Sequence, residues 1–287
     1  MTVPERVAAA TKDPVYQARP WPVLRNALVS YMNTHRHNGV QGFIEIDVTD
    51  ALRRISEAQK TLRIAVSFHA YMLHAMVRAL VLHPTMVSYR HKNQLVSFED
   101  IDVLTPVEKR ITDGGRIPVG YVVRGAQAKS LAQINRELRE ATAADDITTE
   151  AAVKMRRRFA RWPRLLRDLV SRHAQRNPFF FKRLHGTVIL TNVRPPGFAN
   201  AGTVLGPTVH TLSLALGTIT DRVRLDANGA VTNRKILVLG AAGDHDIIDG
   251  MIAARFIADM TRIAESAAAL DDAFLAECRQ LAAGDGR

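Results

Sequence analysis

The sequence predicts an α+β protein, a mostly antiparallel sheet covered by helices, and three observations carry that expectation. Segments with helical spacing are interleaved with short alternating segments, several alternating segments come in pairs joined by turn residues, and one helix-like stretch is apolar nearly all round, as a central buried helix must be. No Ser/Gly/Pro linker divides the 287 residues, so a polar leader over 1–20 is followed by a single domain over 21–287.

In chain order, residues 22–35 have helical spacing, with Val23, Leu24, Ala27, Leu28, Tyr31 and Met32 on one face and Pro22 placed to start the helix. Residues 41–48 alternate as a strand, and Thr49 or Asp50 suits the cap of the helix that follows. The apolar helix covers 67–82. Residues 86–97 read as a hairpin turning at Lys92-Asn93, and 101–109 and 117–123 as strands around Thr112-Asp113-Gly114-Gly115. Helical spacing returns over 130–142 and again over a basic segment of about 148–183. Strands follow at 187–193, 208–219 and 232–242, with a turn at Asn228-Gly229, and two helices close the chain.

Composition narrows the function classes. With 47% hydrophobic residues the chain can bury a substantial core, no uninterrupted apolar stretch reaches transmembrane length, and the first residues lack the apolar run of a signal peptide, so a soluble cytoplasmic protein is expected. The single cysteine, Cys278, excludes an internal disulfide framework and a Cys-based metal site. His245-x-x-x-Asp249 and His35-Arg36-His37 lack an evident third ligand, so no metal is expected; no glycine-rich phosphate loop supports nucleotide hydrolysis. His69 and His74 lie on the apolar helix and read as core or interface histidines.

Charge is concentrated. The formal net charge is +11, and residues 154–183 hold eleven Lys or Arg against the single acid Asp168, leaving the rest of the chain near neutral. Phe159, Trp162, Leu165, Leu166, Leu169 and Val170 fall near helical spacing, so one face is apolar and the other basic. Four readings of this segment, with Arg156, Arg157 and Arg158 at its centre, stand open. They are a solvated outer face over a packed inner one, attraction of an acidic partner, contact with a membrane surface, and nucleic-acid binding. The neutral remainder of the chain speaks against the last.

The most informative stretch is Gly243-Asp244-His245-Asp246-Ile247-Ile248-Asp249-Gly250. An apolar run over 235–242 reads as a buried strand and 251–257 as a helix, so His245 sits on a strand-to-helix corner, held on rigid elements yet reachable by a ligand, as a general base must be. His245-x-x-x-Asp249-Gly250 followed by Ala-Ala-Arg-Phe resembles the active-site motif of the catalytic cores of 2-oxo acid dehydrogenase acyltransferases and of the related chloramphenicol acetyltransferases. Four further segments resemble that family in order. They are the opening helix with Arg25 and Met32, the strand Glu45-Ile46-Asp47-Val48-Thr49, the long helix from Ser67 to His83-Pro84, and the strand Gly186 to Val193.

The resemblance implies a chloramphenicol acetyltransferase-like two-layer sandwich and a coenzyme A-dependent acyltransferase. It implies a homotrimer with active sites at subunit interfaces, His245 of one chain facing Thr191 of its neighbour. His245 would be the general base, and Thr191, where the family has a Ser, would donate to the oxyanion of the tetrahedral intermediate. Asp249 matches the residue that fixes the active-site loop with an Arg from the opening helix, here Arg25, and Gly250 completes the motif. A coenzyme A thioester would be co-substrate, with no metal, and the acidic partner of the basic segment would then be the phosphates of coenzyme A or an acyl carrier protein. The chain starts almost at the catalytic core and ends in a polar segment, so neither a covalently bound lipoyl arm nor assembly beyond a free trimer is expected.

Two departures bear on substrate. Asp246 stands where the family has an Arg beside the base, and Arg194-Pro195-Pro196-Gly197 replaces the glycine after the hydroxyl-bearing strand. They leave two alternatives open: a non-catalytic scaffold of the same fold, and an enzyme using the pocket for another reaction on a thioester or polyketide-like substrate.

Overall fold

The computed structural model describes residues 21–34, 38–110, 116–144, 147–193, 202–206, 208–225 and 228–284. The 1–20 leader, His35-Arg36-His37, the turn over 112–115 and the Arg194–Gly197 segment lie outside these residues.

Six strands form one sheet in the order β1 (Gly39–Asp47), β8 (Val231–Asp244), β7 (Leu212–Leu225), β6 (Val188–Asn192), β4 (Val103–Arg110) and β5 (Arg116–Val123). The β1–β8, β8–β7 and β4–β5 junctions are antiparallel, and β6 runs parallel to both its neighbours. The hairpin β2 (Ser88–His91) and β3 (Gln94–Ser97) stands apart and turns at Lys92, whose φ is 56°. Helices cover the sheet, which is the mixed, mostly antiparallel arrangement expected from the sequence.

The reason for the layering is the alternation along each strand. Val103, Val188, Leu190, Leu212, Leu214, Leu216, Leu237 and Leu239 all join the one large core cluster, so one sheet face is aliphatic throughout. Against it lies α3 (Phe68–Leu82), with nine residues buried, among them Tyr71, Leu73, Met76 and Leu80. Each such side chain contributes about 1.5–3 kcal/mol by burial. Ser67 caps α3 through Ala70 N (3.3 Å), and the helix ends at His83-Pro84. Tyr71 ties α3 to α8 (Gly250–Ser266) by donating to Ala264 O at 2.6 Å. The remaining cover is α2 (Thr49–Leu62), α4 (Leu131–Ala143) and α9 (Asp272–Gly284), on which Cys278 is buried.

Three local expectations change. Neither Thr49 nor Asp50 caps α2; Val48 occupies that position without a side-chain bond, and Asp47 instead accepts from Thr49 N and Thr49 Oγ1 at 3.0 and 2.5 Å. Of the expected apolar face of α1 (Arg25–Asn33), Ala27 is buried and Tyr31 and Met32 are half-buried, whereas Leu28, and Val23 and Leu24 ahead of the helix, are exposed, so only part of that face packs.

The largest change concerns the basic segment. It forms three helices, α5 (Ile147–Ala160), α6 (Arg164–Arg176) and α7 (Pro178–His185), broken at Pro163 and at Asn177-Pro178, where Asn177 caps α7 through Phe179 N and Phe180 N. On α6 the sequence left open which face packs, and the structure decides it: Arg167, Ser171 and Ala174 are buried, whereas Leu165, Leu166, Leu169 and Val170 point to solvent. Arg167 accounts for that orientation: its guanidinium donates to Ser30 Oγ (3.1 Å), Ala160 O (3.3 Å) and Trp162 O, stapling α6 to α1 and to the end of α5. Such satisfied charge-assisted bonds offset the burial of a cation.

Candidate active site

His245 follows the last paired residue of the sheet, Asp244, which lies opposite Gly39. Its backbone N donates to Asn38 O at 2.8 Å, extending the β1–β8 ladder by one bond, and the chain then turns as Ile247 N and Ile248 N donate to Asp244 O. The corner is anchored from below. Asp244 and Ile248 are buried, and Asp244 Oδ1 accepts from Asp246 N (3.1 Å). From above, Asp246 accepts from Asn38 Nδ2 at 2.7 Å. The backbone at His245 is therefore fixed on both sides, while its imidazole is exposed and makes no hydrogen bond among the described residues. The carboxylate of Asp246, next to His245 in the chain, is thus engaged by Asn38.

Asp249 is the N-cap of α8, its Oδ1 accepting from Ile252 N at 2.8 Å, and Gly250 opens the helix with open space where a Cβ would lie. Arg25 is exposed at the start of α1 and makes no ion pair with Asp249 or any other carboxylate among the described residues. The helix end takes the Asp249 carboxylate, and α1 is drawn onto the basic segment, where Gln175 Nε2 donates to Tyr31 O (2.8 Å) and Asn26 Nδ2 to Ala160 O (3.3 Å).

Thr191 stands on β6 with its side chain on the face opposite Val188 and Leu190, half-buried. The strand is anchored at its start by Gly186 (φ 72°), where a Cβ would lie 2.5 Å from Asp102 O, and by Thr187 N and Oγ1, which pair with Asp102. The buried Asp102 also holds Arg124, Gly125 N and Lys182. Over the same sheet face runs the 202–206 segment, and two glycines let it approach. A Cβ on Gly217 would lie 2.5 Å from Gly202 O, and one on Gly240 would lie 2.8 Å from Leu205 Cδ1.

The register separates Thr191 from His245. Thr191 pairs with Ala215, and Ala215 with Gly240, five residues before His245 and two strands away. At about 3.3 Å per residue along β8 and about 4.8 Å per strand across it, the two positions are roughly 19 Å apart. No rotamer closes that gap, so within one chain the imidazole and the hydroxyl do not share a reacting centre.

Two clefts accompany these residues. One, of about 840 Å³, touches Asp244 and Asp246 and is lined by Arg90 and Lys92 of the hairpin and Arg172 and Arg176 of α6. None of these four cations pairs with a carboxylate among the described residues, so the cleft beside His245 is electropositive. The sequence could not show this grouping, because the hairpin and α6 lie about eighty residues apart. The other cleft, of about 800 Å³, opens at the end of β6 and is lined by Asn192, Ser67, His69, Thr105, Arg136 and Arg139, not by Thr191. His69 Nε2 lies 2.7 Å from Thr105 Oγ1, its Nδ1 is buried without a partner, and burial pushes its pKa down to about 4. Arg156, Arg157 and Arg158 are exposed on α5 and line neither cleft. Among the described residues no group of three or more His, Cys, Asp or Glu could hold a metal ion.

Residues 168–270 match the family model of the 2-oxoacid dehydrogenases acyltransferase (catalytic domain). Solved structures of similar fold include dihydrolipoamide acetyltransferase of Azotobacter vinelandii, 18% identical, with a TM-score of 0.63 over 93% of this chain and 99% of that one. A truncated catalytic core of the 2-oxoacid dehydrogenase multienzyme complex from Thermoplasma acidophilum is 19% identical, with a TM-score of 0.58 over 88% and 100%. A probable dihydrolipoamide acetyltransferase from Listeria monocytogenes is 17% identical, with a TM-score of 0.58 over 88% and 95%. A search of curated proteins found no match. The chain thus has the fold of these acyltransferase cores and, over 168–270, matches the family's sequence model.

Proposed function

We propose that the protein is an acyltransferase that moves an acyl group from a thioester to a thiol, hydroxyl or amine, working as a homotrimer with active sites between subunits. The observation that carries this reading is the placement of the two proposed groups. His245 is exposed on an anchored corner at one end of the sheet and Thr191 lies roughly 19 Å away, two strands over, so they can meet only between copies. Each copy then offers one half of a site at each end.

In such a site His245 takes the proton of the acceptor as its nucleophilic atom bonds to the thioester carbonyl carbon. The negative charge that develops on the carbonyl oxygen accepts a hydrogen bond from Thr191 Oγ1 of the adjoining copy. Collapse re-forms the carbonyl, breaks the C–S bond, and returns the proton from the imidazolium to the departing thiolate. The electropositive cleft beside His245 suits a donor carrying phosphates, which favours coenzyme A as the thiol carrier. Asp249 and Gly250 position the corner through the start of α8, and Asp246 is held by Asn38.

His245→Ala tests the reading directly. Turnover of an acyl-coenzyme A should fall about 100-fold or more, with melting temperature and trimer mass unchanged. Near wild-type turnover would overturn the catalytic role and leave a binding protein of the same fold.

A further inference from the structure

The outward face of α6 is unusual for a protein in water. Leu165 is 83% exposed, Leu169 64%, Leu166 49% and Val170 43%. These four residues fall on one side of the helix, while the opposite side is packed through Arg167, Ser171 and Ala174. On the neighbouring α7 Phe179 is 57% exposed, and in the turn before α6 Trp162 is 41% exposed. Exposed apolar side chains grouped on one helix face mark a binding face.

Its surroundings identify the occupant. The segment 154–183 carries eleven cations and one acid, and Arg161 and Arg183, exposed in the turn and on α7, pair with no carboxylate among the described residues. Outside 154–183 the formal charge is close to zero, so another copy of the chain has no large excess of acid to offer, and contact of this patch with itself would press like charges together. An anionic bilayer supplies both things the patch lacks, an apolar layer for the leucines and a sheet of negative charge for the arginines. We propose that α6, with Trp162 and Phe179, seats the protein on an anionic lipid surface, lying in the interface plane without crossing it. No helix among the described residues is long and apolar enough to cross.

The test uses the full chain and vesicles of phosphatidylcholine alone or mixed with phosphatidylglycerol. Wild type should sediment with the mixed vesicles and not with phosphatidylcholine alone, and raising the salt should weaken binding. Leu165→Ser/Leu169→Ser should lower vesicle affinity about tenfold or more, with trimer mass and turnover of a soluble thioester unchanged. In a Trp21→Phe background, vesicles should shift the Trp162 emission to the blue. Wild type that fails to bind the mixed vesicles, or a double variant that binds them as wild type does, overturns the proposal. A double variant that changes oligomer mass instead assigns the face to a second copy and likewise overturns it. Vesicle binding is read without turnover, so this outcome is separate from that of His245→Ala.

Discussion

Mixing two inactive variants should restore activity, because the register places His245 and Thr191 too far apart to serve one site from one chain. His245→Ala removes the proposed base, and Thr191→Val keeps the shape of the side chain while removing the hydroxyl. Alone, the first should lose about 100-fold or more in turnover and the second about 10- to 1000-fold with little change in substrate affinity. In trimers assembled at random from equal amounts, a site is intact when its His comes from a Thr191→Val copy and its Thr from a His245→Ala copy, a chance of about one in four. Co-expressed or co-refolded variants should therefore reach about a quarter of wild-type turnover, about 25 times or more that of the His245→Ala parent and at least about 2.5 times that of the Thr191→Val parent. The assay is release of free thiol from an acyl-coenzyme A, with oligomer mass measured on the same samples. Folded parents simply combined, without subunit exchange, are the control. A co-assembled trimer no more active than the average of its parents would refute the interfacial site, since the register leaves no route to an intact centre within one chain.

Three further outcomes follow from the geometry. His69 has a folded-state pKa of about 4, below its ordinary 6.5. The unfolded chain thus binds more protons between those values, and stability should fall as pH drops through that window, by about 3 kcal/mol at pH 4. Urea titrations should show His69→Gln losing less on acidification than wild type, and an identical acid limb would remove His69 from the account. Gly186→Ala should cost about 3 kcal/mol or more, read as a large fall in melting temperature, because φ is 72° and its Cβ would meet Asp102 O at 2.5 Å; a shift of only a degree or two would mean the backbone relaxes. Replacing Arg156, Arg157 and Arg158 together with Glu should leave the melting temperature nearly unchanged, since exposed charges contribute little, and a large fall would show that α5 depends on them.

Periodicity and local chemistry are properties of neighbouring residues, and the sequence by itself determined what depends on them. Apolar patterning marked strands at 187–193 and 232–242, which form as Val188–Asn192 and Val231–Asp244, the apolar helix Phe68–Leu82 was legible from its composition, and the corner at His245 followed from a strand running into a helix. The orientation of α6 was not legible, because helical spacing shows which residues share a face but not which face meets the protein. That choice was made by the bonds from Arg167 to Ser30, Ala160 and Trp162, the first of them 137 positions away. The cleft cations Arg90, Lys92, Arg172 and Arg176 were hidden for the same reason, since the hairpin and α6 become neighbours only on folding. The separation of Thr191 from His245 is likewise a matter of register. Strand pairing through Ala215 and Gly240 sets that distance, and pairing depends on which long-range contacts bury the aliphatic face, a choice made by the folded chain as a whole.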